Sequence, residues 1–358
     1  MSLLVPCVQE LAKDPLLTTV PPRYVRHDQD PIIPYTSTTS LLPQLPVIDM
    51  NKLLLYSSDH HDQESMDSEL EKLHLACKEW GFFQVINHGV STSLVDSVKG
   101  GVEGFFNMEV EEKSRFGQKA GEKEGFGQVF VTSEEQKLVW ADMFFLTTLP
   151  THLRKPHLFP NLPNPFRDSL EAYSSELQNL AHKLLHLKTK ALKMNPNDMK
   201  ELFEQGRQSM TMNYYPPCPQ PDLVIGLNPH SDASGITILL QINDQEGLQI
   251  KKDGNWIPVK PLPDAFIVNI GDALEIVTNG VYKSIEHRAI VNADKERLTI
   301  ATFYNPKLDG ELSPAPSLIS KERPALFKRV SVVDFYKGFF SRQLDGKSYL
   351  DTMRIHSG

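Results

Sequence analysis

Two strand-like stretches carry the residues whose types and spacing could do chemistry. In "NPHSDASGITILLQ" (228–241) a histidine and an aspartate, His230 and Asp232, stand two positions apart at the head of an Ile/Leu-rich run. Side chains at i and i+2 of a strand share a face, so a strand here would present an imidazole beside a carboxylate. A third donor, His287 of "YKSIEHRAIVN", lies 57 residues beyond His230, where strand pairing in a barrel can bring it alongside. Two imidazoles and one carboxylate make the facial triad of non-haem Fe(II) oxygenases, which leaves half the octahedral positions open for an oxidisable cosubstrate and O₂. A closed zinc site needs a fourth protein ligand, commonly cysteine, and none is nearby in sequence. An isolated His-x-Asp is common by chance; the strand after His287 sets this one apart. "ERLTIATFY" places Arg297 and Thr299 on one face, ten residues after His287. A guanidinium fork beside a hydroxyl suits a carboxylate gripped bidentately inside a barrel. The alternative for Arg297 is a surface salt bridge with Glu296 or Asp294.

Short strands must position these groups. After residue 206 the chain runs through "SMTMNYY", "GITILLQ", "GLQIKK", "NWIPVK", "AFIVNI", "SIEHRAIV" and "RLTIATFY", with Asp253-Gly254 as a hairpin signal between two of them. Upstream the period is helical. Leu70, Leu73, Cys77 and Trp80 share a face before the strand-like "GFFQVIN". Leu170, Tyr173, Leu177, Leu180, Leu184, Leu187 and Ala191 form the seam of a long amphipathic helix that stops at "MNP". That seam is expected to pack on its own domain rather than on a second copy. The polar patch "YSSDHHDQESMDS" (56–68) reads as a loop. Helices first and many short strands afterwards define an α+β chain: a double-stranded β-helix, the jelly-roll or cupin-like barrel, on a helical layer.

Composition narrows the partners. The chain has 358 residues, 40% hydrophobic and 23% charged, enough for a sizeable core. A formal net charge of -8 without like-charge blocks argues against nucleic acid and anionic membranes. No apolar run reaches the length of a membrane span. The start, "MSLLVPCVQELAKDP", lacks the pattern of a signal peptide. Three widely spaced cysteines, Cys7, Cys77 and Cys218, form neither a disulfide framework nor a C-x-x-C motif, and a cytoplasmic compartment is expected. "GKS" at 346–348 imitates the end of a phosphate loop, but Ser341 occupies the required glycine position. No G-x-S-x-G or H-E-x-x-H occurs.

With these residues the chain resembles the plant 2-oxoglutarate/Fe(II)-dependent dioxygenases, the group with flavonoid oxidases, gibberellin oxidases and opium-poppy alkaloid O-demethylases. It is most similar to a senescence-related and alkaloid O-demethylase-like subgroup. The likeness runs nearly end to end, through "ACKEWGFFQVINHGV", "LRKPHLFP", "MNYYPPCPQPD", "IGLNPHSD", "EHRAIVN" and "LDGKSYLDTMRI". It implies His230, Asp232 and His287 as iron ligands. It also implies Arg297 and Thr299 as holders of the distal carboxylate of 2-oxoglutarate, with Asn213 and Tyr215 contributing from a neighbouring strand. Two departures stand out: Arg-Leu-Thr replaces the family's usual Arg-x-Ser, and Ser231 replaces the threonine of His-Thr-Asp. The first keeps a hydroxyl at the same offset, and the second points away from the metal.

The resemblance further implies three regions: an N-terminal helical region with early strands (1–204), the dioxygenase barrel core (205–305) and a C-terminal lid segment (306–358). O₂ and ascorbate join Fe(II) and 2-oxoglutarate in the expected chemistry, which releases succinate and CO₂. The family's substrate-facing positions map to Met143, Phe145, Thr211 and Phe303. The aromatics of "VVDFYKGFF" (332–340), Phe335 and Phe339 among them, are expected to form a helical lid. This apolar wall, read as carrying no cation, suits a flat aromatic small molecule: an alkaloid, flavonoid or phenolic, hydroxylated or O-demethylated by a monomer. Two rivals remain: a triad-bearing oxidase that does not use 2-oxoglutarate, and a non-catalytic cupin-like binding protein.

Overall fold

The computed structural model describes residues 5–27, 30, 43–54 and 60–355. In chain order its strands are β1 (Val47–Asp49), β2 (Phe82–Ile86), β3 (Gly125–Gly127), β4 (Asp142–Leu149), β5 (Arg207–Tyr215), β6 (Leu227–His230), β7 (Ile236–Gln241), β8 (Leu248–Lys252), β9 (Asn255–Pro258), β10 (Phe266–Ile270), β11 (His287–Ala289), β12 (Arg297–Asn305), β13 (Glu311–Leu312) and β14 (Val330–Ser331). One sheet runs β1-β2-β10-β7-β12-β5-β4-β3 and a second runs β6-β11-β8-β9. Together they form the jelly roll. The larger sheet takes strands from both sides of residue 205, so one core joins the helical N-terminal half to the barrel. β5 and β12 form its longest antiparallel ladder, from Arg297 opposite Tyr215 to Asn305 opposite Arg207.

The local chemistry explains the strand ends. Asp253 (φ 50°) and Gly254 (φ 81°) turn β8 back into β9 with Lys252 opposite Asn255, the left-handed pair that a two-residue hairpin requires. The helix Phe166–Ala191 buries Leu170, Tyr173, Leu177, Leu180, Leu184 and Leu187 in the main core, against the helix Thr92–Phe106 and the large sheet. Its seam is therefore turned inward, as expected, and each fully buried leucine contributes roughly 2 kcal/mol. Among the described residues no helix is long and apolar enough to cross a membrane.

The polar patch differs from its expected form. Residues 56–59 lie outside the described residues, but the chain is helical from His60 to Leu75. Gln63, Glu64 and Met66 are good helix formers and no Gly or Pro interrupts them, so hydrophilicity alone misread a solvent-facing helix as a loop. At the other end the helix Val332–Phe340 starts at Ser331, whose hydroxyl accepts the Asp334 N–H at 3.0 Å.

Candidate active site

The strand of His230 stops at His230. β6 ends there, β7 begins at Ile236, and Asp232 sits in the crossing between the two sheets rather than beside His230 on one strand face. Small polar residues allow the crossing, and a second chain segment pins it. Asp272 N donates to Asp232 O (2.7 Å), Gly271 N to Gly235 O (2.9 Å) and Ala273 N to Ser234 O (3.1 Å). Gly271 makes this approach possible, since a Cβ there would lie 2.0 Å from Ser234 O. His287 arrives by sheet pairing, directly opposite His230 in the β6–β11 ladder. The C-terminal segment adds a brace: Gly346 N donates to Pro229 O and Ser231 N donates to Gly346 O, at 2.9 and 3.1 Å.

One ligand atom from each of the three residues lies within 4.8 Å of the others, and all three residues are buried. Each imidazole turns Nδ1 to a backbone carbonyl, His230 to Asn228 O at 2.8 Å and His287 to Ile285 O at 3.1 Å. With the proton on Nδ1, Nε2 is left with its lone pair. Asp232 Oδ2 accepts from Thr237 Oγ1 (2.6 Å) and Asn269 Nδ2 (2.8 Å). Its Oδ1 faces the two Nε2 atoms at 3.4 and 3.7 Å. Burial alone would raise the Asp232 carboxyl, but His287, His230 and the Asn269 hydrogen bond outweigh it and hold the group well below the usual carboxylate range. Burial, reinforced by His230, takes His287 down to about 4, so its imidazole is neutral, as a metal ligand must be. Phe82 packs edge-on against the His287 ring at 5.2 Å. Two imidazole Nε2 atoms and one carboxylate oxygen, held by hydrogen bonds behind them, fit a divalent transition metal.

Arg297 points inward. It is 3% exposed, donates through Nη2 to Gln241 Oε1 at 3.0 Å and stacks at 5.2 Å over Tyr215. Its Nε is buried without a hydrogen-bond partner. Glu296, the proposed surface partner, instead accepts from the Tyr214 hydroxyl. Across the ladder Asn213 Nδ2 donates to Thr299 Oγ1 at 3.2 Å. Arg297, Thr299, Asn213 and Tyr215 line the same cavity as the His–Asp–His cluster. A buried cation with spare donors beside two hydroxyls is built to receive a carboxylate.

Met143, Phe145, Thr211, Phe303 and Phe339 also line this cavity. Phe335 does not. It is fully buried, packed on Tyr349 at 5.3 Å, because the Val332/Phe335 side of its helix faces the core while Tyr336, Phe339 and Phe340 face the cavity. The wall also contains Phe130, stacked at 5.9 Å on Phe340, from an irregular stretch in which no periodicity marks a side chain as inward-facing. A second correction concerns charge. Arg207 stands in the cavity wall, so the wall expected to carry no cation does include one. The alternation of β5 marks it: Arg207, Ser209, Thr211 and Asn213 all share one face.

Known proteins match this architecture. Residues 206–306 match the 2OG-Fe(II) oxygenase superfamily, and residues 45–162 match the non-haem dioxygenase in morphine synthesis N-terminal family. The chain is 56% identical to protein SRG1 of Arabidopsis thaliana over 99% of this chain and 97% of that protein. It is 55% identical to oxoglutarate-dependent flavonoid 7-O-demethylase 1 of Ocimum basilicum, over 99% and 92% of the two. Codeine O-demethylase of Papaver somniferum is 51% identical over 99% and 97%. Among solved structures, JOX2 in complex with 2OG, Fe and JA superposes with a TM-score of 0.87 at 36% identity, covering 99% of this chain and 98% of that one. The protein belongs to the plant 2-oxoglutarate/Fe(II)-dependent dioxygenases, in the subgroup of SRG1 and the O-demethylases. It is an enzyme whose cofactor and cosubstrate are Fe(II) and 2-oxoglutarate.

Proposed function

We propose that this dioxygenase hydroxylates or O-demethylates an aromatic plant specialised metabolite, an alkaloid, flavonoid or phenolic. The observation that carries the reading is the wall around the His–Asp–His cluster: Phe130, Met143, Phe145, Phe303, Phe339 and Phe340 form an apolar, largely aromatic enclosure. Such a wall stacks on a flat lipophilic ring system and offers little to a sugar or phosphate ester. The relatives named for O-demethylation of flavonoids and morphinans agree with it.

In this reading His230, Asp232 and His287 would hold Fe(II) through two Nε2 atoms and Asp232 Oδ1. With 2-oxoglutarate and O₂, Fe(II) held there would supply the oxidation of a substrate C–H bond, coupled to conversion of the cosubstrate to succinate and CO₂. The protein supplies the geometry. Arg297 neutralises the distal carboxylate, Tyr215 and Thr299 place hydroxyls beside it, and Asn213 orients Thr299. Tyr336, Phe339 and Phe340 close over the aromatic wall and exclude water. An O-methyl carbon held near the cluster gives, on hydroxylation, formaldehyde and the free phenol. We assign the work to a cytoplasmic monomer, with ascorbate as reductant; the inward-turned helix seam supports the monomer.

The test is substrate-dependent succinate release across methoxylated flavonoids, benzylisoquinoline and morphinan alkaloids, simple phenolics and terpenoid acids, with formaldehyde measured in parallel. Succinate with formaldehyde from a methoxylated aromatic is the expected result. Turnover confined to carboxylic acids, or oxidation without succinate, would overturn the reading.

A further inference from the structure

Arg207 and Arg297 stand at opposite ends of the β5–β12 ladder on its inner face, Arg207 paired with Asn305 and Arg297 with Tyr215. The eight intervening steps set their backbones roughly 26 Å apart along the strand at about 3.3 Å per residue. Between them, at the level of Phe303, lies Thr237, the residue that donates to Asp232. The cavity therefore has a cation at each end and the His–Asp–His cluster at an intermediate level. Arg297 serves the cosubstrate in the reading above, which leaves Arg207 without a role.

Its surroundings define one. Arg207 Nη2 donates to Thr147 Oγ1 at 2.9 Å, and Glu124 Oε1 lies 3.8 Å away as a counter-ion. Glu124 is itself occupied: its oxygens accept the Thr147 N–H at 2.7 Å and the Thr147 hydroxyl at 3.0 Å. The carboxylate thus holds the guanidinium in place and offsets its charge without using up its hydrogens. Among the described residues the guanidinium makes this one hydrogen bond, its Nε is buried unpartnered, and the side chain is 25% exposed in the cavity wall. Ser209, two positions along the same face, adds a hydroxyl, and Phe303 lies across the ladder from it. The lid closes on this end. Tyr336 from the helix Val332–Phe340 places its hydroxyl 2.8 Å from Asn305 Oδ1.

We propose that Arg207, with Ser209 beside it, is the specificity anchor for the substrate: it donates to an oxygen on the aromatic substrate, a phenolic hydroxyl or ring carbonyl, while Phe303 packs on the ring that carries it. Glu124 sets the preference for such an oxygen over a carboxylate, because the cation is already paired and a second anion would have to compete for it. The anchor rests on the aromatic-substrate reading and sharpens it, since a ring tethered at Arg207 is oriented with respect to the metal cluster and only part of its periphery can present a C–H bond there.

The experiment compares substrate KM for matched aromatic compounds that differ only in one oxygen: hydroxylated against deoxy, and carbonyl against methylene. Wild-type protein is expected to favour one oxygen-bearing member about tenfold to a hundredfold, the worth of a hydrogen bond to a charged donor. Arg207→Gln should collapse that preference to within about threefold by raising KM for the oxygenated member alone. Arg207→Lys should restore part of it, and thermal melting checks that both variants fold. Which pair responds distinguishes hydroxyl from carbonyl. If the wild type oxidises aromatic compounds but shows no such preference, or Arg207→Gln keeps it, the anchor is wrong and the functional reading stands. If the wild type oxidises no aromatic compound, the functional reading falls and takes the anchor with it.

Discussion

Replacing Arg297 by alanine tests the cosubstrate end of the cavity most directly. The guanidinium is 3% exposed, with one donor given to Gln241 and its Nε unpartnered, so the charge is desolvated and its pairing with an incoming carboxylate is not screened by water. Truncating one partner of a buried charge pair costs about 2–5 kcal/mol. Tyr215 and Thr299 remain in place to hydrogen-bond the carboxylate, which puts the expected loss in the lower half of that range, about 2–3 kcal/mol. At 1.36 kcal/mol per factor of ten this is roughly a thirtyfold to 150-fold rise in the 2-oxoglutarate KM. The assay is succinate formation against 2-oxoglutarate concentration at saturating Fe(II) and substrate. Thr299→Ser keeps the hydroxyl that Asn213 orients, and it should move KM less than about threefold. An unchanged 2-oxoglutarate KM in Arg297→Ala would show that the cosubstrate binds elsewhere, and the assignment of Thr299, Asn213 and Tyr215 would go with it.

Three further outcomes are expected. His230→Ala, Asp232→Ala and His287→Ala should each abolish substrate-dependent succinate release while the protein still melts cooperatively; near-normal activity in any of them removes that residue from the metal site. Asn269→Leu, which deletes the 2.8 Å bond to Asp232 Oδ2, should weaken Fe(II) or Co(II) binding about tenfold to a hundredfold in a direct titration, and unchanged affinity would deny Asn269 its orienting part. Phe335→Ala should lower stability by about 3–5 kcal/mol through a core cavity, whereas Phe340→Ala should chiefly raise substrate KM; the reverse pattern would mean that the helix Val332–Phe340 presents its other face.

Much of the fold is legible in the sequence because its signals are local. The seam of the helix Phe166–Ala191 follows from three-and-four spacing, and the β8–β9 hairpin from Asp253-Gly254. The order of strands in the large sheet is not legible in this way. β10 lies between β2 and β7, and β5 between β12 and β4, so neighbours come from stretches far apart in sequence and no periodicity encodes such pairings. The first half of the helix His60–Leu75 is hidden for a different reason: the apolar face begins only at Leu70, and before it only propensity speaks for a helix.

At the site, residue types are legible and backbone paths are not. His230, Asp232 and His287 are recognisable by chemistry and spacing, yet the i, i+2 rule that links His230 to Asp232 in sequence does not describe them, since the strand ends at the histidine. That break has a chemical consequence. Two donors on one strand face would share its direction, whereas a histidine at the end of β6 and an aspartate in the crossing to β7 approach from different sides, with Asp232 held from behind by Thr237 and Asn269 of the opposite sheet. The cluster is therefore assembled across the gap between the sheets, where the cavity opens: the smaller sheet brings both histidines, each held by a carbonyl of its own stretch, and the larger sheet holds Asp232. Arg207 shows the complementary failure. It shares a face with Ser209, Thr211 and Asn213 by simple alternation, but an arginine at the first residue of a strand reads as a solvated end, and only the placement of Glu124 and Thr147, 83 and 60 residues earlier in the chain, turns it into part of the wall.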